Sequence, residues 1–449
     1  MFKNISFVIW LPLFYSFFMT IDKLYTIFCE YPLICTDSRQ VSAKSLFFAL
    51  KGGNFDGNLY AGRALENGAA FAIVDNPSVA LNSRYLLVDD ALAMLQQLAA
   101  FHRKKLGLPV IAVTGTNGKT TTKELIAAVL GTQRRIEYTR GNLNNHIGVP
   151  LTLLAMNEKT EIGIVEMGAN HPGEIGFLCQ IADPDYGIVT NMGKAHLEGF
   201  LDFEGVVRTK SELYRYLEDK NGVIFINDDN PILKSAAGVK IRQITYGSGN
   251  NCKLKGESVD NNTYLSLTIH FPEGPAEVKT RLIGNYNFEN VMAAVTIGSY
   301  FGIDTDRIIH AVESYSPSNN RSQLITTENN TIVMDAYNAN PSSMQASISN
   351  FLGMNAPRKL LILGDMLELG KESPSEHQKI VDMLIPCAEC SVILVGSHFA
   401  QTRKPENFLS FSGSEELAVY LSSHSVNGTL ILVKGSHGIR LERILDAIN

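Results

Sequence analysis

The segment VIAVTGTNGKTT, Val110–Thr121, carries the strongest signal for the fold of this chain. An apolar run typical of a buried strand leads directly into a glycine-rich turn and then a helical stretch. Glycines let such a turn curl so that successive backbone N–H groups point at phosphate oxygens at the start of the helix. Lys119 would then reach the β- and γ-phosphates, and the Thr120 hydroxyl would bind Mg²⁺. In the general motif, G-x-x-x-x-G-K-[ST], the glycines stand farther apart than Gly115 and Gly118 do. The order of strand, loop and helix still predicts nucleotide binding rather than a turn without a ligand.

Further strands of the buried type follow the loop at 162–165, 187–190 and 223–226. Glu166 comes just after the first of them, and His196 follows the second. Either residue alone is typical of a hydrogen-bonded turn. Because a parallel sheet collects the carboxyl ends of its strands at one edge, the two side chains could also complete a metal site there.

The period of the apolar pattern changes to two between about 252 and 283, which predicts a half-exposed antiparallel strand. Helices are expected near 287–300 and 305–314, and the Pro317–Asn320 stretch is typical of a linker.

The flanking parts of the chain predict two further domains. Before the loop, strands at 45–50 and 71–74 and a helix from about Asp90 end at a charged stretch closed by Gly107. After the linker, strands alternate with helical stretches, and a last helix is expected near 439–448; the strands are 331–334, 360–363, 392–395 and 430–433. This repeat indicates a parallel sheet with helices on both faces. The sequence therefore predicts an α/β protein with domains at 19–106, 107–317 and 318–449.

Composition narrows the class of protein. The 449 residues include 39 Lys or Arg and 45 Asp or Glu, so the formal charge is −6, and 45% of the residues are hydrophobic. These values exclude a disordered or low-complexity chain. A mildly acidic balance argues against a protein that mainly binds nucleic acid, while nucleotides can still bind to backbone amides.

The first 18 residues and the cysteines need separate interpretation. Residues 5–19 are almost wholly apolar but too short for a membrane span of about 20 residues, and no signal-peptide cleavage site follows. We expect residues 1–18 to be an extension upstream of a natural start at Met19, and the protein to be cytoplasmic without stable membrane insertion. The cysteines show no disulfide pattern, and a metal or redox role for the single C-x-x-C at 387–390 is disfavoured; they are Cys29, Cys35, Cys179, Cys252, Cys387 and Cys390.

Several stretches together resemble one family, the Mur ligases. The short loop at 115–120 is similar to the phosphate loop of that family, and GNLNNHIGVP at 141–150 and EMGANH at 166–171 are similar to its signatures. So are AHLEGF at 195–200, DAYNANP at 335–341 and GDMLELG at 364–370. The resemblance runs in family order from about Thr36 to Lys434.

The resemblance implies a fold and a reaction. The fold has a small mixed α/β UDP-binding domain, a central ATPase domain with a mostly parallel sheet plus a small antiparallel sheet, and a C-terminal Rossmann-like domain. The signatures are those of the branch that joins D-alanyl-D-alanine to UDP-N-acetylmuramoyl-tripeptide. In that reaction ATP phosphorylates a carboxylate, and the amine attacks the resulting acyl phosphate, with Mg²⁺ and Lys119 offsetting the phosphoryl charge.

The resemblance also implies roles for individual residues. For ATP these are Gly115, Thr116, Asn117, Gly118, Lys119, Thr120, Thr121, Asn287, Asn290, Arg321 and Asp335; for the substrates they are Thr36, Ser38, Arg39, Asn142, Asn144, Asn145, Asn338 and Asn340. The implied metal ligands are Thr120, Glu166, His196 and Lys210, and Lys119, His196 and Lys210 are the implied catalytic residues. Two positions depart from the family: Tyr286 and Asn58 stand where His is common.

Lys210 is expected to be a carbamylated lysine. It lies on the inward stripe of a helix predicted from about Phe203 to Leu217, where a lysine more often snorkels to water. Burying a free ammonium beside Mg²⁺ would be unfavourable, whereas reaction with CO₂ gives an oxygen ligand of the kind Mg²⁺ prefers. The resemblance agrees, because the carbamylated lysine of the family has the same spacing from the metal-binding histidine.

Two other classes of protein stay open. A nucleotide-dependent switch would be expected to carry Asn-Lys-x-Asp after a strand, and the chain has none. A related amide ligase such as a folylpolyglutamate synthetase is disfavoured by the stretches at 335–341 and 364–370. The sequence leaves the third residue of the tripeptide open, and a monomer is expected.

Overall fold

The computed structural model describes residues 19–195, 197–259, 264–317, 320–387 and 389–448. The chain forms two compact units: one contains the residues up to Gly107 together with Leu153–Asn157, and the other contains the remainder. The domain boundaries predicted after residues 18, 106 and 317 remain predictions, and residues 1–18 lie outside the described part. Within the described ranges, no helix has both the length and the apolar character needed to cross a membrane.

The first unit is built on a small parallel sheet in the order β1-β2-β5-β6 and a separate hairpin, β3-β4. Its strands are β1 (Ile34–Cys35), β2 (Leu46–Phe48), β3 (Lys51–Gly52), β4 (Phe55–Asp56), β5 (Phe71–Val74) and β6 (Tyr85–Leu87). Its helices are α1 (Ile21–Glu30), α2 (Ala61–Glu66) and α3 (Ala91–Leu106). Alternate apolar residues of β2 and β5, such as Phe47 and Ala72, pack in one core with Ala61 and Ala64 of α2. The predicted helix from Asp90 is confirmed: the Asp90 side chain caps its first turn, and Gly107 ends it at φ 62°.

A nine-stranded sheet forms the first half of the second unit, in the order β15-β14-β13-β12-β11-β10-β7-β9-β8. Its strands are β7 (Val110–Thr114), β8 (Ile136–Tyr138), β9 (Ile162–Glu166), β10 (Tyr186–Val189), β11 (Val223–Asn227), β12 (Arg242–Gly247), β13 (Leu254–Val259), β14 (Tyr264–Phe271) and β15 (Gly274–Ile283). β7 to β12 pair in parallel. The four apolar runs predicted as buried strands are therefore confirmed, and so is the antiparallel strand β14, although Ser266 on its predicted exposed face is buried.

The antiparallel strands β13 to β15 continue the parallel sheet, because β13 pairs in parallel with β12 through Tyr246 and Leu254. One continuous sheet results. β7, which leads into the phosphate loop, lies between β10 and β9, so the ends of three parallel strands surround that loop.

Helices cover this sheet and fix the loop helix against it. They are α4 (Lys119–Leu130), α5 (Gly148–Leu154), α6 (Glu174–Ala182), α7 (Leu197–Phe200), α8 (Phe203–Lys210), α9 (Glu212–Asp219), α10 (Pro231–Ala237), α11 (Phe288–Tyr300) and α12 (Thr305–Ser314). α4 and α11 approach closely at Gly298, where an added Cβ would lie 2.4 Å from a methyl carbon of Val129. Leu125, Val129 and Ala294 lie in the same buried core.

A six-stranded sheet forms the second half, in the order β16-β17-β21-β18-β19-β20, with only the β16 pairing antiparallel among its described strands. The strands are β16 (Gln323–Thr326), β17 (Asn330–Asp335), β18 (Lys359–Gly364), β19 (Cys390–Val395), β20 (Leu409–Phe411) and β21 (Thr429–Lys434). The helices are α13 (Pro341–Gly353), α14 (Ser373–Leu384), α15 (Ser397–Ala400), α16 (Ser414–Ser423) and α17 (Leu445–Ile448). Two apolar cores, one on each face, confirm the predicted layered arrangement.

Two predicted helices are divided. The helix expected from Phe203 to Leu217 consists of α8 and α9, separated at Ser211, whose hydroxyl donates to the Val207 carbonyl within the preceding turn. The helix expected near 439–448 is two short 3₁₀ turns followed by α17, because Arg440 adopts φ 57°, which a helix interior excludes. All six cysteines are free thiols.

Candidate active site

The segment that follows β10 holds the loop between β7 and α4 through hydrogen bonds. The N–H of Thr116 donates to the Asn191 carbonyl (2.9 Å), and the N–H of Asn117 donates to the Asn191 side chain (2.9 Å). Thr116 and Gly193 exchange hydrogen bonds through the Thr116 hydroxyl. The loop is therefore fixed by its neighbours before any ligand arrives.

Gly118 is the position where the loop requires glycine. Its φ is +77°, and an added Cβ would lie 2.5 Å from Oδ1 of Asn290 at the start of α11. A side chain here would be strained by its backbone conformation and would also displace Asn290.

Lys119 begins α4 and folds its side chain back over the loop. Its Nζ donates to the carbonyls of Gly115 (2.7 Å) and Thr116 (3.0 Å). Burial lowers the pKa of Lys119 to about 8, and nearby Arg321 adds to this effect while Glu166 opposes it. The amine lies at the mouth of the loop, where a phosphate could replace the two carbonyls as its partner.

Glu166, the last residue of β9, lies beside the first turn of α4 and is 1% exposed. Its Oε1 accepts from the Thr120 hydroxyl (3.2 Å) and from Nδ2 of Asn144 (2.9 Å). Its backbone N–H donates to the Thr139 hydroxyl (2.9 Å). Its Oε2 is buried without a hydrogen-bond partner among the described residues.

This arrangement fits a magnesium ion. Mg²⁺ usually takes only one or two protein ligands and completes its shell with water and substrate phosphates. An unpartnered carboxylate oxygen next to a threonine hydroxyl, one helical turn from the loop, supplies such ligands. In the part of the chain that the structure covers, no cluster of three or more His, Cys, Asp or Glu side chains forms a self-contained metal site. His196, another predicted ligand, lies outside the described residues.

Lys210 ends α8 and is 2% exposed, so the predicted inward orientation is confirmed. Burial lowers its pKa well below the usual range, and the charge of Lys119 adds to this shift while Glu174 and Glu212 oppose it. Its Nζ lies 5.8 Å from the centre of the Phe200 ring. Burial thus favours the neutral form of this amine over the charged form.

The residues expected at the adenine lie beside the loop at the start of α11. Asn287 Nδ2 donates to the Ile283 carbonyl, and Asn287 Oδ1 accepts from Asn290 Nδ2 (both 2.8 Å). Asn290 Oδ1 accepts from the Thr122 hydroxyl (2.9 Å). These bonds join the adenine-side residues to α4.

Arg321 and Asp335, the other residues expected at ATP, lie before β16 and at the end of β17. The Arg321 guanidinium lies 3.7 Å from the centre of the Tyr337 ring, and its buried Nε has no hydrogen-bond partner among the described residues. Asp335 ends β17 and pairs with the buried amine of Lys434 (2.5 Å), while its Oδ1 accepts from the Ser322 N–H (3.2 Å). The negative charge of the Asp335 carboxylate, at the end of β17, is thus balanced by the Lys434 amine.

Tyr286, one of the two departures from the family pattern, has a clear structural role. Its hydroxyl lies 2.7 Å from the Ser322 hydroxyl, two residues after Asn320, the last residue of the expected linker. Burial raises its pKa. The tyrosine therefore joins the residues before α11 to the start of the six-stranded sheet.

The loop also contacts the segment that opens α13. Asn340 Nδ2 donates to Asn117 Oδ1 (2.7 Å), and Asn117 Nδ2 donates to the Ser342 hydroxyl (2.9 Å). Asn340 Oδ1 at the same time caps α13 by accepting from the Ser343 N–H (2.9 Å). The nucleotide loop and the second sheet of this unit are thus joined through Asn117.

The other residues expected at the substrates have local partners. Asn145 Oδ1 accepts from the N–H groups of Ile147 and Gly148 at the start of α5, and Asn142 is exposed. Asn338 Oδ1 accepts from the Ala339 N–H. Of the expected substrate residues in this unit, Asn144 touches Glu166 and Asn340 touches the loop.

Thr36, Ser38 and Arg39 belong to the first unit and follow β1. Arg39 places its guanidinium on Asp37 (Nη2 to Oδ2, 2.7 Å), and these hydrogen bonds lower the pKa of Asp37 to about 2. Arg39 is thus paired within its own loop.

Asn58, the second departure, is 2% exposed and organises the same unit. Its Nδ2 donates to Asp56 and to Asp75 (both 2.7 Å), and its Oδ1 accepts from the Asp75 N–H (3.1 Å). Every polar atom of the Asn58 amide is satisfied, so this side chain holds β4 and the end of β5 together.

Sequence reasoning missed two residues of the site, Lys123 and Ser342. Lys123 is fully buried beside Glu166. The available signal was its spacing of four from Lys119, which places both lysines on one side of α4. Ser342 lies two residues after Asn340, and nothing local pointed to its contact with Asn117.

Comparison with known proteins gives consistent matches along the chain. Residues 30–103 match the description "Mur ligase family, catalytic domain", residues 113–298 match the Mur ligase middle domain, and residues 320–437 match the glutamate ligase domain of Mur ligases.

Individual proteins match over nearly their whole lengths. The UDP-N-acetylmuramoyl-tripeptide–D-alanyl-D-alanine ligase of Bacillus subtilis is 36% identical over 428 residues, covering 92% of both chains. The crystal structure of MurF from Acinetobacter baumannii has a TM-score of 0.82 at 30% identity and covers 92% of both chains. MurF ligase from Thermotoga maritima, solved in complex with ADP, has a TM-score of 0.81 at 28% identity and covers 92% of this chain and 96% of its own.

Proposed function

The chain belongs to the Mur ligase family, and from that premise we propose that it joins D-alanyl-D-alanine to UDP-N-acetylmuramoyl-tripeptide in an ATP-dependent reaction. The observation that carries the proposal is the phosphate loop with Lys119 at its mouth and the buried, half-satisfied Glu166 beside Thr120. The relative from Bacillus subtilis bears the name of this activity and matches over 92% of both lengths.

The reaction has two bond-making steps. An oxygen of the peptide carboxylate attacks the γ-phosphorus of ATP, an O–P bond forms, and the bond to ADP breaks. The amine of D-alanyl-D-alanine then attacks the acyl carbon, a C–N bond forms, the amine loses a proton, and the C–O bond to phosphate breaks. Phosphorylation is needed because a carboxylate is a poor electrophile, and most of the catalysis comes from positioning and from charge stabilisation.

The residues of the loop would act on the transferring phosphoryl group. The N–H groups at the start of α4 and the Lys119 amine point to where its oxygens would lie, and Lys119 would exchange its two carbonyl partners for phosphate. Arg321, whose Nε is free of hydrogen bonds among the described residues, would add a second positive charge. Thr120 and Glu166 would hold Mg²⁺, which when bound supplies charge neutralisation of the phosphates.

Asn287 and Asn290 would contact the adenine and Asp335 the ribose. Thr36, Ser38, Arg39, Asn142, Asn144, Asn145, Asn338 and Asn340 are assigned to the two substrates. The enzyme would act in the cytoplasm and as a monomer.

Carbamylation of Lys210 is part of the proposal. It is supported by the burial of the amine and by the lowered pKa, which both favour the neutral form that reacts with CO₂. Protein incubated with ¹³C-bicarbonate should show a carbamate carbon signal that is absent in Lys210→Met, and this variant should lose most activity. Lys234, which is half-exposed and paired with Asp228, gives the matched control Lys234→Met. An unchanged carbamate signal in Lys210→Met would contradict the assignment.

The function is tested by phosphate release. ATP and UDP-N-acetylmuramoyl-tripeptide should give sustained release only when D-alanyl-D-alanine is also present, and the product should gain the mass of the dipeptide. Two tripeptides, with diaminopimelate or lysine as the third residue, should be compared in parallel. Release that responds to glutamate and not to D-alanyl-D-alanine would favour a ligase of the folylpolyglutamate type and refute the proposal.

A further inference from the structure

α4 carries a second lysine that the proposed mechanism does not use. Lys123 lies one helical turn beyond Lys119 and Thr120, and its side chain is 0% exposed. Lysine is rarely buried completely unless it has a partner of opposite charge. The burial of Lys123 therefore indicates a role for its charge and not for packing alone.

The Lys123 amine lies between two carboxylates and an aromatic ring. Its Nζ is 3.7 Å from Oε2 of Glu166 and 3.8 Å from Oε1 of Glu124, and it lies 5.7 Å from the centre of the Tyr138 ring. Neither Nζ nor Oε2 of Glu166 makes a hydrogen bond with any described residue. The ammonium of Lys123 and the carboxylate of Glu166 are at ion-pair distance but too far apart for a hydrogen bond.

A cavity of about 440 Å³ opens beside this pair. Lys123, Glu124, Tyr138 and Arg140 are among the residues that line it. The cavity therefore lies next to the Lys123 side chain, on a side that Glu166 does not line.

We propose that Lys123 is a positioning residue for Glu166, acting as its counter-charge while no metal is bound and releasing Oε2 when Mg²⁺ arrives. The inference rests on the proposed role of Glu166 as a metal ligand. Thr120 and Asn144 already fix Oε1, so Lys123 is the group that restrains the other oxygen.

The electrostatic reasoning gives the sign of each effect. A buried carboxylate without a counter-charge is strongly destabilising, so removing the lysine should cost stability when metal is absent. Mg²⁺ brings positive charge to the same carboxylate and should recover much of that loss. A lysine that served only to fill space would leave the same deficit with and without metal.

The experiment is thermal unfolding of the natural protein, Lys123→Met, Glu166→Gln and the double variant, each with ADP in EDTA and with ADP plus Mg²⁺. In EDTA we expect the melting temperature of Lys123→Met to lie about 5 °C or more below that of the natural protein. The decrease in the double variant should be much smaller than the sum of the decreases in the two single variants. Addition of Mg²⁺ should raise the melting temperature of Lys123→Met more than that of the natural protein. In the double variant this additional rise should disappear.

Two controls keep the result interpretable. Glu124→Gln removes the other nearby carboxylate and should leave the Mg²⁺ response of the natural protein unchanged. Lys123→Arg keeps the charge and should recover stability in EDTA if Lys123→Met folds poorly.

Additive effects of Lys123→Met and Glu166→Gln in EDTA would overturn the inference, as would a deficit of Lys123→Met that Mg²⁺ does not reduce. Coupling in EDTA, with no Mg²⁺ response even in the natural protein, would instead overturn the metal role of Glu166 on which both proposals depend.

Discussion

Replacing Gly118 by alanine tests the geometry of the phosphate loop most directly. Gly118 has φ +77°, and the new Cβ would lie 2.5 Å from Oδ1 of Asn290. Gly173, the residue before α6, is the matched control, because its φ of +87° and ψ of −15° are close to the φ of +77° and ψ of −7° of Gly118, and an added Cβ would meet no atom within 4 Å. The two substitutions share the cost of a left-handed alanine and the lowered entropy of the unfolded chain, and they differ in the collision.

The magnitudes follow from these contacts. A left-handed backbone costs alanine about 1–2 kcal/mol, and the reduced entropy of the unfolded chain returns part of that, so Gly173→Ala should lose about 1 kcal/mol. Gly118→Ala would also displace Asn290 from Thr122 and Asn287, two hydrogen bonds worth about 1 kcal/mol each. Its total loss should be about 3 kcal/mol.

Thermal unfolding and calorimetric titration with ADP measure the two consequences. At about 2 °C per kcal/mol for a large domain, the melting temperatures should fall by about 2 °C in Gly173→Ala and about 6 °C in Gly118→Ala. ADP affinity should fall about tenfold or more in Gly118→Ala alone, because both the loop and Asn290 move. Equal melting temperatures and equal ADP affinities in the two variants would refute the collision argument.

Three further variants test other parts of the structure. Lys119→Met should abolish turnover. Burial lowers the pKa of this lysine to about 8 in the folded protein, against 10.5 in the unfolded chain. The natural protein should therefore gain stability relative to the variant as the pH rises from 8 to 10.5. Melting curves across that range measure this, and a constant difference would contradict it. Asn58→Ala should lower the stability of the first unit by about 2–3 kcal/mol, because Asp75 loses its amide partner. Hydrogen exchange of the β5 amides measures this loss, and unchanged protection of those amides would contradict the prediction. Asn340→Ser should keep the cap of α13 but lose the bond to Asn117, so the ADP affinity should change while the melting temperature falls by less than in Asn340→Ala.

The regular elements of this fold were predictable because their signals are local. The run at 110–113 and the period-two pattern around β14 each lie within one element, and each was assigned correctly. The helix over 203–217 divides at Ser211, whose hydroxyl bonds within its own helix, and the last helix begins only at Leu445, after Arg440 has adopted a positive φ. Neither residue type excludes a helix, so the pattern gave no warning.

The site was predictable only where a motif has one physical use. The glycines and Lys119 indicate phosphate wherever they occur after a strand. Lys123 could not be assigned in this way, because its partner Glu166 is 43 residues away and meets it only through the pairing of β9 with β7. Asn58 and Tyr286 looked like departures from a pattern, and their roles became evident only from the atoms that they bond.

The bonds from Asn117 to Asn340 and Ser342 have a thermodynamic consequence. Coupling between two sites is reciprocal. If bound ATP changes the equilibrium for forming the bonds from Asn117 to Asn340 and Ser342 by some factor, forming this junction changes the affinity for ATP by the same factor. A small molecule that wedged itself between Asn117 and Asn340 would therefore act on nucleotide affinity without occupying the nucleotide pocket. Its own affinity, measured with and without ATP, would report the coupling free energy between this junction and the nucleotide site.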